Sequence, residues 1–114
     1  MDKTLPRQYP RIPVALNIHC EGSSRPLVFV SKNLSRGGIL LESPQIFPLG
    51  ARLTLDFKLP YTHSEMRLPG KVVRHEVEST TGIINGMAIE FVDLKDSDVA
   101  TIDQYIQSTR QNVP

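Results

Sequence analysis

An all-β domain finished by a single helix is the fold class that the sequence predicts, and three patterns carry that expectation. Six apolar-rich segments recur at intervals of roughly 8–15 residues, the rhythm of short antiparallel strands. Gly, Pro, Ser and Asn cluster between them, and no stretch of helical period separates one from the next. After Ser97 the apolar spacing changes from two to the helical value, with Val99, Ile102 and Ile106 on one stripe. Strands without intervening helices close into an antiparallel barrel or pack as a sandwich.

Each element has a local reason. Pro6, Pro10 and Pro13 fix their own φ and push their predecessors towards extended backbone, so residues 1–13 read as a flexible arm and not as a helix. From Val14 to Glu21, Val14, Leu16, Ile18 and Cys20 alternate with Ala15, Asn17, His19 and Glu21, the pattern of a half-buried strand. A loop over Gly22–Pro26 leads to a second strand, Leu27–Lys32. The third runs from about Gly38 to Glu42, and a longer connection with Pro44 and Pro48 reaches Gly50. Leu53, Leu55, Phe57 and Leu59 alternate with Arg52, Thr54, Asp56 and Lys58 in the fourth strand. The fifth spans Met66–Val77, with a bulge or bend expected at Pro69-Gly70. Ser79–Gly82 reads as a hairpin loop and Ile83–Val92 as the sixth strand, with Gly86 inside or at the start of it. Ser97-Asp98 suits the start of a helix over about 97–110. The 114 residues therefore predict an arm, 1–13, and one domain, 14–114.

Composition removes several classes of function. Thirteen basic and twelve acidic side chains leave a net charge of +1, so nothing in the bulk charge supports a nucleic-acid partner. Aromatic residues are 6% of the chain and Trp is absent, which argues against a row of base-stacking platforms. No apolar run approaches the roughly 20 residues that span a bilayer, and no signal-peptide core opens the sequence. A single cysteine, Cys20, at an apolar-face position fits a core residue in a reducing, cytoplasmic setting. His19, His63 and His75 have no metal-ligand spacing among themselves or with Cys20, so neither metal nor cofactor is expected. Neither a nucleophile elbow nor a phosphate-binding glycine loop is present, and Glu76 and Glu78 read as a solvated strand face. An enzyme is not expected.

One stretch exceeds what a connecting turn requires: Lys32-Asn33-Leu34-Ser35-Arg36-Gly37-Gly38. An amide, a hydroxyl, a guanidinium and two glycines capable of positive φ sit together, and such a turn brings backbone N–H groups close to an anion. Arg7 and Arg11 lie in the arm, which would fold back across it. With near-neutral bulk charge, an anion has to be gripped by such locally placed arginines.

Arg7-x-x-x-Arg11 before the first strand, with Asn33-x-Ser35-x-x-Gly38 between the second and third, resembles the signature of the PilZ domains, bacterial receptors for cyclic di-GMP. Arg11-Ile12-Pro13-Val14, Gly70-Lys71-Val72-Val73-Arg74 and Gly86-Met87-Ala88-Ile89-Glu90-Phe91 resemble further parts of that family, and the likeness covers nearly the whole chain. The resemblance implies a six-stranded antiparallel β-barrel with a C-terminal helix. It also implies a ligand, cyclic di-GMP, held by Arg7, Arg11, Asn33, Ser35, Arg36, Gly37 and Gly38. The ligand's chemistry is consistent with this, since a guanidinium pairs with the Hoogsteen edge of guanine or with a phosphate through two parallel hydrogen bonds. The expected role is a cytoplasmic receptor that changes conformation and signals to a separate effector protein, in motility, adhesion or exopolysaccharide output. The alternatives are a PilZ-like interaction scaffold that binds no nucleotide, a single-strand nucleic-acid binder, and a small hydrolase.

Overall fold

A computed structural model describes residues 10–21, 27–42, 46–62 and 64–111. Arg7 and most of the arm, the loop at 22–26, residues 43–45 and His63 lie outside the described residues. Seven strands and one helix follow in order: β1 (Ile12–Pro13), β2 (Asn17–Glu21), β3 (Leu27–Ser35), β4 (Gly38–Glu42), β5 (Arg52–Lys58), β6 (Glu65–Val77), β7 (Ile84–Phe91) and α1 (Asp96–Gln111). All pairings are antiparallel, in the order β3-β2-β5-β6-β7-β4, and β4 returns to β3. The result is a closed six-stranded barrel with β1 added as a short pairing on β3 and a C-terminal helix, as the sequence predicts.

Alternation fills the interior. Along β5, Leu53, Leu55 and Phe57 are buried while Arg52 and Lys58 are exposed, and β6 continues the pattern with Met66, Leu68 and Val72. Ile102 and Ile106 of α1 are completely or almost completely buried, so the helix packs its apolar stripe onto the same core. α1 lies against β1 and β3, at the part of the barrel that carries the arm. Asp93, at φ 52°, turns the chain from β7 towards this helix; a short polar side chain tolerates that left-handed backbone. Phe47 packs edge-on against Phe29 at 5.9 Å, and its carbonyl accepts a hydrogen bond of 2.9 Å from His75 Nε2. His75 is thereby a fastening for the connection before β5. Cys20 is a core residue, and burial, with Asp56 adding to it, pushes its thiol up to about 12.

Several details differ from expectation. Ile12-Pro13, expected within the arm, pair with β3, and the strand expected from Val14 begins at Asn17. The β3 ladder runs on to Ser35, so Asn33 and Ser35 are strand residues and the turn itself is only Arg36-Gly37. Pro69-Gly70 carries no register shift against β5; the shifts in β6 fall at Val72/Arg74 and Glu76/Val77, against β7. Pro69 is tolerated because N–H and C=O of a strand residue point to the same side. Its carbonyl accepts from Val92 N–H at 2.9 Å, just past the last β6–β7 pair, where a missing N–H breaks no ladder bond. Ser97 falls inside the first turn of α1, and the Lys95 carbonyl accepts from Asp98 and Val99 N–H at 3.0 and 3.1 Å.

Candidate functional site

The motif residues sit where β3 breaks its own regularity. Phe29 and Ser31 face inward, and uninterrupted alternation would send Asn33 inward as well. Between Ser31 and Asn33 the β3–β4 register shifts by one residue, so Leu34 takes the core position and Asn33 stays on the outer surface, half-buried. The bulge re-aims a polar side chain that would otherwise be entombed.

Ser31 anchors the other side of this region. It is a buried polar residue whose hydroxyl accepts from Leu16 N–H at 2.9 Å and donates to the Val14 carbonyl at 2.6 Å. With Val14 N–H bonded to the Lys32 carbonyl at 3.2 Å and Ser31 N–H to that of Leu16 at 3.0 Å, the root of the arm is fastened to β3. β1 then pairs Pro13 with Asn33 and Ile12 with Leu34. Sequence reasoning passed over Ser31. Its signal was present as a small hydroxyl residue at a position of the apolar face.

That fastening brings the two motifs together. Arg11 precedes β1, and its Nη1 donates a hydrogen bond of 2.7 Å to Asn33 Oδ1. A side-chain amide has one acceptor oxygen and two N–H donors. With the oxygen engaged by Arg11, what Asn33 offers an anion or a guanine acceptor is its N–H. Arg11 and Asn33 together present donors in one place on an exposed surface.

Ser35, expected as a ligand contact, also has a role within the turn. It is buried, its Oγ accepts from Gly37 N–H at 3.1 Å, and it lies 3.5 Å from the Gly38 carbonyl as donor. It clips the two-residue turn shut between the paired positions Ser35 and Gly38. The Gly37 carbonyl accepts from Phe91 N–H at 3.0 Å, which ties the turn to β7. Gly38 does not use the positive φ open to a glycine; among the described residues the positive-φ glycines are Gly50 and Gly82. Its requirement is closeness, because a Cβ there would run into the Ile89 carbonyl oxygen across the β4–β7 pairing. Arg36 leaves the turn towards α1 and meets Asp103, Nη1 to Oδ2, at 3.0 Å.

Register adds residues that one strand's periodicity could not reveal. Asn33 pairs with Leu40, Leu40 with Ala88, and Ala88 with Arg74. These form one row across four strands: half-buried Asn33 and Leu40, buried Ala88, and a second guanidinium, exposed, at Arg74. Arg74 Nε and Nη2 both donate to Glu76 Oε2, at 2.9 and 2.7 Å. Concave surfaces of about 590 Å³ over β2, β5 and β6, and of about 440 Å³ between α1 and the β5–β6 turn, are lined by other residues. Among the described residues no three His, Cys, Asp or Glu side chains gather as metal ligands. Among them, too, no helix is long and apolar enough to cross a membrane.

The family model for the PilZ domain matches residues 6–108. The chain belongs to the PilZ domain family. The fold of this PilZ domain is shared with solved structures of low sequence identity. The motility inhibitor MotI/DgrA of Bacillus subtilis is 22% identical, with a TM-score of 0.79 over 95% of this chain and 53% of that one. YcgR of Escherichia coli, in complex with cyclic di-GMP, is 14% identical, with a TM-score of 0.76 over 93% and 46%. The PilZ domain of CeSA from a cellulose-synthesising bacterium is 15% identical, with a TM-score of 0.64 over 89% and 98%. This chain thus spans about half the length of the first two and nearly all of the isolated domain. Among curated proteins the sequence search found no match.

Proposed function

We propose that this PilZ domain is a non-enzymatic receptor for cyclic di-GMP that signals through a separate partner protein. Residues 1–13 would act as the ligand-contacting arm, and 14–114 as the body that receives it. Arg7 and Arg11 would grip phosphate and guanine edges, and Asn33 would add N–H donors. Arg36 would supply a phosphate contact, while Ser35, Gly37 and Gly38 hold the turn that makes close backbone approach possible. Half-buried Leu40 would provide an apolar floor on which a base lies, with Arg74 at the far end of its row.

The observation that carries this reading is the 2.7 Å hydrogen bond from Arg11 to Asn33, which unites two motifs separated by 22 positions in one donor-rich patch. Membership in the family and the cyclic di-GMP held by YcgR support the choice of ligand. The net charge of +1 supports a small local anion and not a nucleic-acid partner. A buried, protonated Cys20 and a cytosolic second messenger suit a cytoplasmic place of action. Motility is the process favoured by likeness to MotI/DgrA, with exopolysaccharide output the alternative.

Calorimetric titration with cyclic di-GMP, with GTP and cyclic GMP as controls, tests the proposal. Saturable binding of the cyclic dinucleotide and at least tenfold weaker binding of both controls is the expected result. Arg11→Ala should lose about 2–5 kcal/mol of that affinity, as does truncation of one member of a hydrogen-bonded charge pair at an interface. No heat from the wild-type protein at ligand concentrations up to the millimolar range would contradict it.

A further inference from the structure

The turn of the motif and the C-terminal helix are joined by an ion pair whose carboxylate has no evident purpose within the helix. Asp103 lies beyond the acidic first turn of α1, where Asp96 and Asp98 complement the helix dipole. Its neighbours at three and four positions are Val99, Ala100, Ile106 and Gln107, none of them basic. Across the gap stands Arg36, with 3.0 Å between Nη1 and Oδ2. Both ends of the pair have firm roots. Arg36 leaves a turn clipped by Ser35 and bonded to β7, and Asp103 follows Ile102, which is completely buried.

We infer that Asp103 is an internal competitor for the anion site: it holds Arg36 against α1 without ligand and yields it to a phosphate when ligand binds. This deepens the cyclic di-GMP reading of the same site and rests on it. Exposure decides that the pair is exchangeable. The two side chains keep 37% and 32% of their accessible surface, so water screens their attraction and each can be resolvated when they part. A phosphodiester offers two oxygens to the guanidinium fork and brings its own charge into a patch that already contains Arg11. Release of Arg36 would remove a tie between α1 and the barrel at mid-helix and change the face around Asp103, giving a partner protein a surface that differs between the two states.

The test is a titration of cyclic di-GMP into wild-type, Asp103→Asn and Arg36→Ala proteins, with amide hydrogen exchange of α1 measured before and after ligand. Removing the competitor should tighten binding about two- to fivefold, the range expected from an exposed pair; Arg36→Ala should weaken it. Without ligand, exchange across residues 99–107 should be faster in both variants than in wild type, and ligand should bring the wild-type helix to the variants' level. Equal or weaker binding by Asp103→Asn beside normal wild-type binding overturns the competitor and leaves the receptor reading standing. Failure of all three proteins to bind overturns the receptor reading, and the competitor with it.

Discussion

The β5–β6 and β3–β4 hairpins are built on the same antiparallel pairing, and they differ in how far alternation governs them. From Arg52↔Lys71 to Lys58↔Glu65 the first runs without a register shift, and every second residue of β5 goes into the core. Its outer surface carries an arginine, Arg67, bonded to Asp56 at 2.6 Å and to Glu21 at 3.1 Å within the sheet. The second hairpin shifts register between Ser31 and Asn33, buries two serines, and sends its arginine out of the sheet to a helix. Regular pairing needs only apolar and polar residues in turn. Irregular pairing, with hydroxyls spent on holding turns and arm, marks the place where side-chain direction matters for something other than the core.

If that contrast is right, the two hairpins should respond differently to damage. Leu55→Ala, at a completely buried position in β5, should cost about 2–5 kcal/mol in urea unfolding. Under conditions where the variant remains folded, its affinity for cyclic di-GMP should be close to wild type. Ser31→Ala should cost less stability, about 1–3 kcal/mol, because it leaves Leu16 N–H and the Val14 carbonyl without the hydroxyl between them. It should nevertheless lower affinity several-fold, since it loosens the root of the arm that presents Arg11. Equal affinity in these two variants would break the comparison. Arg67→Ala is the smallest change: its own side chain and that of Glu21 are solvent-exposed and that of Asp56 is partly so, so both melting temperature and affinity should stay within error of wild type.

Much of the architecture was legible because a barrel is written in period two. β4 matches its expected bounds, β5 and β6 come within a residue or so of them, and α1 begins and ends one residue outside its own. Val14–Leu16 keep the predicted alternation without being a strand, because Ser31 and Lys32 take their backbone bonds in place of a ladder. The proximity of arm and hairpin was readable from the two motifs; the Arg11–Asn33 contact itself was not. Leu40, Ala88 and Arg74 remained hidden because cross-strand register depends on a bulge, and one strand's period says nothing of its neighbour's phase. The bond from Gly37 N–H to Ser35 was hidden for a related reason: a hydroxyl's partner within its own turn depends on the turn's geometry, which composition does not give.

The most direct measurement compares wild-type protein with Arg11→Lys in calorimetric titrations of cyclic di-GMP at one salt concentration. Lysine keeps the charge and removes the planar fork that meets Asn33 and would grip the ligand. The account predicts saturable wild-type binding and at least a tenfold loss in the variant. Indistinguishable affinities would mean that Arg11 contributes charge alone, and that the junction of arm and hairpin is not the site.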